Sequence, residues 1–291
     1  MRPLVAFAFL TFAASAATAQ TPQAIAADPP RDSAHPARME VLHIPSGSVR
    51  INGVAYLASG AGAHPTFVLL HGLPGNEKNL DLAQAVRRAG WNAITFNYRG
   101  SWGSPGSFRF GNNLADANAV LAFLADPANA RRLGIDPRQV VIAGHSMGGW
   151  VAVLTAAHHP ELRGLALISA ADMGRAAASS SRKELISLMA DNMESLAGVT
   201  ARSMADDLAA GAAASHWTFA DAAPGLTQMP MLVITADDGL AAESDSLVAR
   251  LRARGNAAIT TVHEPTDHSY SDRRIALETA VLDWLQRLEQ R

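Results

Sequence analysis

Short apolar runs alternate with longer amphipathic stretches along most of this chain. The apolar runs cover residues 66–70, 92–97, 139–144, 164–170, 231–236 and 257–262. The amphipathic stretches cover residues 79–89, 112–125, 148–158, 241–254 and 272–290. Short apolar strands that alternate with helices are typical of βαβ units. The pattern therefore predicts an α/β fold with a mostly parallel central sheet and helices on both of its faces.

Two segments that precede this alternation predict antiparallel strands at the start of the sheet. They cover residues 39–45 and 49–58. The Asn52-Gly53 pair in the second segment favours a hairpin turn there, because both residue types tolerate positive φ.

The most informative motif is Gly144-His145-Ser146-Met147-Gly148, which lies between a strand-like run and a helix-like run. A G-x-S-x-G sequence in that context is typical of a nucleophile elbow. Its glycines permit a sharp turn and close packing of the next helix, and the turn exposes the serine hydroxyl. The motif predicts that Ser146 is a nucleophile beside the positive end of a helix dipole. The alternative is a tight structural turn.

Further polar segments follow other predicted strands. His71-Gly72-Leu73-Pro74 follows the run at 66–70 and resembles an oxyanion loop. Asp237-Asp238 follows the run at 231–236, and Asp267-His268 lies shortly before the last amphipathic stretch. The order Ser, Asp, His is that of α/β-hydrolases.

Together with Tyr98-Arg99-Gly100, these motifs resemble the α/β-hydrolase superfamily over roughly residues 40 to 290. Within it, the chain is most similar to small secreted bacterial hydrolases and is loosely similar to the catalytic domain of prolyl-oligopeptidase-type enzymes. The resemblance implies the α/β-hydrolase fold. It also implies that the helix-like insertion at 172–228 is a small cap over the active site. The alternative is a connecting helix pair at the edge of the sheet.

The predicted base is a histidine, since a serine hydroxyl needs a base and the base needs an orienting acid. His268 lies in a polar loop after the last strand and is the preferred candidate. His263 is the rival, but it lies in a strand-like run, where the pleat fixes the direction of its side chain. His145 is interpreted as packing within the elbow.

The predicted acid is Asp238, with Asp237 and Asp172 as alternatives. Asp237 and Asp238 are adjacent, so in an extended segment they point to opposite sides. The resemblance favours Asp238, and Asp237 is then a turn or capping residue. Asp172 follows the preceding strand, a position that some lipases use. The resemblance also implies an oxyanion hole formed by the backbone N–H groups of Leu73 and Met147.

Three large side chains near these motifs have two interpretations each. Arg99 either binds a substrate carboxylate or, as the family resemblance favours, has a structural role in which it is held by backbone carbonyls or a carboxylate. Trp102 and Trp217 either line the substrate pocket or contribute to packing.

Composition narrows the class of protein. A length of 291 residues, of which 48% are hydrophobic, suits one large domain with a sizeable core. A net charge of −2 gives no electrostatic case for nucleic acid. The absence of cysteine excludes thiol nucleophiles, thiolate metal sites and disulfides.

The first residues predict a signal peptide at 1–19. An apolar run at 4–12 is too short to span a bilayer, and Ala17-Thr18-Ala19 matches an A-x-A cleavage site. The Pro-rich residues 20–38 predict a flexible linker before a hydrolase domain at 39–291. We therefore expect an exported protein, periplasmic or secreted, with no membrane span after cleavage.

The sequence as a whole predicts a serine hydrolase that needs no cofactor or metal. The expected substrates are small carboxylic esters, cleaved through an acyl-enzyme intermediate. A peptidase or amidase acting on short peptides is the alternative enzyme. A non-catalytic binding protein of this fold is the alternative from another class, although such proteins usually lose a member of the triad.

Overall fold

Eight strands form one central sheet in the computed structural model, which describes residues 22–290. The strands are β1 (Arg38–Ser46), β2 (Val49–Leu57), β3 (His64–Leu70), β4 (Asn92–Phe96), β5 (Ile135–His145), β6 (Gly164–Ile168), β7 (Met231–Ala236) and β8 (Ile259–Glu264). Their order across the sheet is β1-β2-β4-β3-β5-β6-β7-β8. β2 pairs antiparallel with β1 and β4, and every other pair is parallel. The predicted mostly parallel sheet is confirmed.

Helices lie between the strands as predicted. They are α1 (Gln23–Ala26), α2 (Leu80–Arg88), α3 (Phe110–Ala125), α4 (Pro127–Leu133), α5 (Met147–Ala156), α6 (Met173–Ser179), α7 (Arg182–Ala190), α8 (Ala201–Ser215), α9 (Phe219–Ala222), α10 (Ala241–Ala253) and α11 (Arg274–Glu289). None of these helices, within residues 22–290, has the length and apolarity needed to cross a membrane.

The buried apolar side chains form two clusters, one on each face of the sheet. Val68 and Leu70 of β3 belong to the cluster that includes α3 and α5. Phe67 and Leu69 of the same strand belong to the cluster that includes α2 and α11. Because neighbouring residues of a strand point to opposite faces, this division shows a sheet covered by helices on both sides.

The turn predicted at Asn52-Gly53 is wrong. β2 runs straight through this pair, and Gly53 pairs with Leu42 of β1 and with Phe96 of β4. The chain instead reverses at Gly47, whose φ is 58°. The local turn preference of an Asn-Gly pair is overridden here because partner strands on both sides hold the segment extended.

The described part of the chain begins at residue 22, within the segment for which a flexible linker is predicted. The signal peptide at 1–19 lies outside the described residues. Part of the predicted flexible linker is packed, because α1 places Ala24 and Ile25 against the cluster that contains α11. Arg88 of α2 donates from Nε to the carbonyl oxygen of Ala24 at 2.5 Å. Two apolar residues and one arginine thus anchor a segment whose prolines predicted a tether.

The insertion at 172–228 is helical and contains α6 to α9. Its buried face includes Leu185, Met189, Met204 and Leu208. Ser195 and Ala197 accept hydrogen bonds at 2.9 and 3.0 Å from the backbone of the loop after β4. The insertion therefore packs on this loop and on α3. Its role as a cap and the predicted domain boundaries stay predictions.

Candidate active site

Ser146 occupies a strained turn between β5 and α5. Its φ and ψ are 56° and −126°, a combination that a residue with a side chain rarely adopts. Its backbone N–H donates to Ile168 at 3.0 Å, and its carbonyl oxygen accepts from Gly149 at 2.9 Å and from Ala171 at 3.0 Å. These bonds hold the turn in place and leave the serine side chain partly exposed.

The glycines of the motif are required by close backbone contacts. A Cβ at Gly144 would lie 2.1 Å from the carbonyl oxygen of Gly148. A Cβ at Gly148 would lie 2.3 Å from the carbonyl oxygen of Leu70. Neither gap admits a side chain, so the end of β3, the turn and the start of α5 pack together only with glycine at both positions.

The predicted base and acid are in direct contact. His268 lies in the loop between β8 and α11, and its Nδ1 donates to Asp238 Oδ2 at 2.7 Å. The Asp238 side chain is 4% exposed, whereas the His268 side chain is 39% exposed. The acid is thus buried behind the base, and the base reaches the surface.

The Asp238 carboxylate stays ionised despite its burial. Desolvation alone would raise its pKa, but hydrogen bonds with His268, with the N–H of Leu240 and with the Ser169 hydroxyl outweigh that effect and lower the pKa below its ordinary value. The Leu240 bond to Asp238 Oδ1 is 3.0 Å. Ser169 Oγ in turn lies 3.0 Å from the hydroxyl of the fully buried Tyr270.

The two alternative acids have other partners. Asp237 Oδ1 accepts from His263 Nε2 at 3.1 Å, so the rival acid pairs with the rival base, and both side chains are more than half exposed. Asp172 caps α6, where it accepts the N–H of Arg175 at 3.0 Å, and it also accepts the N–H of Phe219 at 2.8 Å. Its carboxylate therefore ties α6 to α9 and does not reach His268.

Ser146 and His268 line the same cavity, which has a volume of about 130 Å³. The opposite wall is the loop after β3, from Gly72 to Glu77. No hydrogen bond joins the two side chains among the described residues; such bonds often tighten only when substrate is bound. No residue of 172–228, all of them described, lines this cavity.

Of the two predicted oxyanion donors, Leu73 lines this cavity and Met147 directly follows Ser146 in the chain. Met147 is the first residue of α5, so its N–H has no acceptor within the helix. Trp102 holds the loop after β3, since its indole N–H donates to the carbonyl oxygen of Pro74 at 2.7 Å. Trp102 also stacks under the ammonium of Lys78, which lies 4.1 Å from the ring centroid.

Arg274 holds the loop that carries His268, the predicted base. Arg274, at the start of α11, binds both oxygens of Asp81 on α2, at 2.8 and 2.5 Å. Its Nη1 also donates to the carbonyl oxygen of Ser269 at 2.9 Å. The loop that carries His268 is therefore attached to α2.

Arg99 has a structural role, which is the interpretation that the sequence favoured. Its Nε donates at 2.6 Å to Asp116, a carboxylate with no exposed surface, and its Nη2 donates to the carbonyl oxygen of Asn112 at 3.2 Å. Trp217 contributes to packing, since its ring lies against Gly111 and Gly211 and it lines a different cavity from Ser146.

Three polar residues around the triad candidates have contacts that the sequence did not indicate: His145, which was interpreted only as packing, and Ser169 and Tyr270, which were not singled out. His145 is buried and donates from Nε2 to the carbonyl oxygen of His268 at 2.8 Å. Ser169 and Tyr270 support Asp238 and both have positive φ, of 41° and 56°. His145 stands inside the elbow motif, which is a usable signal. The other two depend on contacts between β6 and the histidine loop, and no local pattern indicates them.

No metal site is apparent in the part of the chain that the structure describes. Within residues 22–290, no group of three or more His, Cys, Asp or Glu side chains is arranged to hold a metal ion.

Comparisons with known proteins agree with this architecture. An uncharacterized protein of Mycobacterium tuberculosis, found in two strains, is 28% identical over 133 residues, which are 45% of this chain and 46% of that protein. The chain thus spans about half the length of the curated relatives it matches. Solved structures that share the fold include a hyperthermophilic esterase from Pyrobaculum calidifontis, with a TM-score of 0.61, 21% identity and coverage of 88% of this chain and 86% of that one.

A peptidase shares the same fold. The acylaminoacyl peptidase of Pyrococcus horikoshii has a TM-score of 0.63 and 15% identity, over 86% of this chain and 41% of that one. At these identities the likeness extends to the fold alone. The family model described as the alpha/beta hydrolase family matches residues 67–278, which is most of the chain. The chain is therefore a member of the alpha/beta hydrolase family.

Proposed function

We propose that this protein is a serine hydrolase that cleaves small carboxylic esters through an acyl-enzyme intermediate. The observation that carries the proposal is the 2.7 Å bond from His268 Nδ1 to the buried, ionised Asp238, beside a cavity that His268 shares with a strained Ser146. A buried carboxylate that holds an imidazole next to an exposed hydroxyl is the arrangement that activates a serine.

In the proposed reaction, Ser146 Oγ attacks the ester carbonyl carbon while His268 Nε2 takes the hydroxyl proton. The carbonyl oxygen becomes an oxyanion, which the N–H groups of Leu73 and Met147 stabilise. The C–O bond to the alcohol then breaks, and His268 gives its proton to the leaving oxygen. Water, deprotonated by His268, attacks the acyl carbon and releases the acid with Ser146 restored.

The size of the cavity supports a small substrate. Its volume of about 130 Å³ is below the roughly 300–1,000 Å³ of pockets that bury drug-sized ligands. Gly72 to Gly75 present no polar side chain to the cavity, whereas Asn76, Glu77 and Ser269 do. The small volume therefore favours a small ester over a longer peptide.

The decisive experiment is covalent labelling with a fluorophosphonate probe. We expect one adduct, at Ser146, on the folded protein, and none on Ser146→Ala, which should fold and lack esterase turnover. Turnover of Ser146→Ala near the wild-type rate would contradict the proposal. A folded wild-type protein that takes no label and cleaves nothing would instead favour a binding protein.

The acid is tested by a matched pair of adjacent substitutions. Asp238→Asn should lower kcat by roughly 10⁴, because the amide holds the imidazole in the wrong tautomer. Asp237→Asn should stay within a few-fold of wild type, because Asp237 contacts His263. A damaged Asp237→Asn beside an active Asp238→Asn would move the assignment. Rates on aromatic esters of increasing acyl length, measured beside dipeptide amides, would separate an esterase from a peptidase.

We further propose that the protein is exported, with cleavage after Ala19. The support is the sequence pattern of residues 1–19. N-terminal sequencing of protein recovered from a periplasmic or extracellular fraction should give Gln20 as the first residue. Recovery of the full-length chain from the cytoplasm would contradict this proposal without affecting the one on catalysis.

A further inference from the structure

His145 lies between the nucleophile and the base, and the proposed reaction gives it no role. Its side chain is only 3% exposed. Its ring centroid lies 4.6 Å from that of His268, with the two planes tilted by 37°. Its Nε2 lies 2.8 Å from the carbonyl oxygen of His268 itself. The residue before the nucleophile thus touches both the ring and the backbone of the base.

The hydrogen bond fixes the tautomer of His145. A carbonyl oxygen accepts only, so Nε2 of His145 carries the proton and Nδ1 is a bare acceptor. That Nδ1 is buried and has no hydrogen-bond partner among the described residues. Leaving a buried polar atom unpaired costs stability, and an apolar residue in this position would avoid that cost. We infer that a histidine is used at this position because its Nε2–H donates to the His268 carbonyl oxygen.

We propose that His145 is a positioning residue for the base, which it holds through a hydrogen bond to the His268 carbonyl oxygen. The proposal rests on the proposed serine hydrolase function. The His268 loop is anchored elsewhere by Arg274 at Ser269 and by Tyr270 at Ser169. Both anchors follow His268 in the chain, and a third precedes it, where the carbonyl oxygen of Thr266 accepts from the N–H of Asp237 at 3.1 Å. His145 contacts the backbone of His268 itself, and it therefore sets how the ring lies between Asp238 and Ser146.

His145 also has to remain neutral for the reaction to proceed. The titratable or charged groups around it are His268, Asp238, Arg274 and, on the far side, His71. Burial, together with the charges of His268 and Arg274, lowers the pKa of His145 to about 4, although the bond to the His268 carbonyl oxygen and the charge of Asp238 oppose this shift. His268 can thus take the proton of Ser146 without a second imidazolium at ring-contact distance opposing it.

Two substitutions separate the donor from the ring. His145→Phe keeps a flat ring of similar size but has no N–H. His145→Gln has no ring, but its amide nitrogen lies at a similar distance along the side chain as Nε2 and can donate to the same carbonyl oxygen. We expect His145→Phe to lower kcat on an activated ester by about tenfold with KM within about twofold, because misplacing the base affects the transition state. His145→Gln should recover most of kcat.

The pH profile gives a readout that a purely structural role would not change. If the base moves off Asp238, its charged form loses stabilisation, so the acid limb of kcat/KM should shift to lower pH in His145→Phe. In His145→Gln the limb should return to the wild-type position. Titration of active sites with the fluorophosphonate probe normalises each kcat to the amount of competent enzyme.

His64→Phe is the matched control. His64 also binds a backbone carbonyl oxygen through a ring nitrogen, that of Gly90 at 3.0 Å, but it lies at the start of β3, the opposite end of the strand from the site. The His64→Phe variant should have a lower midpoint of thermal unfolding, with normalised kcat and the acid limb of kcat/KM unchanged. An effect on kcat as large as that of His145→Phe would show that loss of any hydrogen-bonded histidine is sufficient.

The proposal is overturned if His145→Phe keeps wild-type kcat and acid limb, or if His145→Gln is as damaged as His145→Phe. If Ser146→Ala is inactive, either of these results contradicts only the role of His145, and the proposed serine hydrolase function is unaffected. If Ser146→Ala is active, the proposed function itself is contradicted. If His145→Phe does not fold, His145→Asn takes its place, because the shorter amide does not reach the carbonyl oxygen and the comparison with His145→Gln is the same.

Discussion

Mild acid should destabilise this protein through two buried histidines. Burial lowers the pKa of His71 to about 4 and that of His145 to about 4, against an ordinary histidine value of 6.5. In the unfolded chain both imidazoles bind protons below pH 6.5, whereas in the folded protein they stay neutral until about pH 4. Protons therefore favour the unfolded chain, and stability falls as pH falls through this window.

The size of the effect follows from the two pKa values. A histidine with a pKa of 6.5 unfolded and about 4 folded contributes almost nothing at about pH 7.5 and destabilises the fold by about 2 kcal/mol at about pH 5. The two together cost about 4 kcal/mol, which is large beside a typical unfolding free energy of about 5–15 kcal/mol. The loss is complete below about pH 4, where both forms are protonated.

The assay is denaturant unfolding at about pH 7.5 and about pH 5, with wild type and His145→Gln compared. The carboxylates titrate in both proteins, so their contribution cancels in the comparison. The unfolding free energy of the variant should fall by about 2 kcal/mol less than that of wild type between the two pH values, because one of the two histidines is gone. His216→Gln is the control, since the His216 side chain is 88% exposed, and it should behave as wild type.

Equal losses in wild type and His145→Gln would refute this reasoning. They would mean that His145 takes up its proton in the folded protein as readily as in the unfolded chain. Water would then have to reach its Nδ1, which is buried among the described residues.

Three further predictions follow from contacts around the site. Gly72→Ala would place a Cβ 2.8 Å from the Cβ of Ser146, so kcat should fall by roughly 10² while the midpoint of thermal unfolding changes little. Tyr270→Phe removes one buried hydroxyl behind the acid and should lower the unfolding free energy by about 1 kcal/mol, with a smaller loss of activity than Asp238→Asn shows. Asp116→Asn leaves Arg99 without its carboxylate and should cost about 3 kcal/mol in an unfolding experiment. A wild-type result in any one of these would contradict the contact it tests.

Much of the fold is predictable from sequence because its signals are local. Each parallel strand is a short apolar run, and each helix has helical spacing, so the alternation alone indicates the layered architecture. The elbow is predictable for the same reason, since its glycines and serine are consecutive. Parallel strands end at one edge of a sheet, so residues that follow different strands, such as Ser146, Asp238 and His268, are expected to meet there.

Local patterns are less informative where distant partners decide the structure. Asn52-Gly53 has the composition of a turn, yet β1 and β4 flank the segment and keep it extended. The prolines of residues 20–38 indicate a tether, yet Arg88 and the side of α11 hold α1. In both cases contacts with residues distant in sequence outweigh the local conformational preference. A short stretch of sequence does not contain those contacting residues, so it cannot reveal them.

The two candidate acids, Asp237 and Asp238, show how sheet register separates side chains that the sequence leaves equivalent. Thr235 pairs with His263 across β7 and β8, and Thr235 Oγ1 lies 3.0 Å from His263 Nδ1. Asp237 is two residues beyond Thr235, so it points to the same side and meets the other nitrogen of His263.

Asp238 must then point to the other side of the chain, toward the edge where Ser146 lies. The two Asp–His pairs are alike in sequence and differ in burial. The Asp237 pair is exposed to water, where such a contact contributes little to stability. The Asp238 carboxylate is 4% exposed and is satisfied by a dedicated set of donors from Ser169, Leu240 and His268. A buried charge that binds an imidazole reaching the surface is typical of a functional site, and this supports Asp238 as the proposed acid.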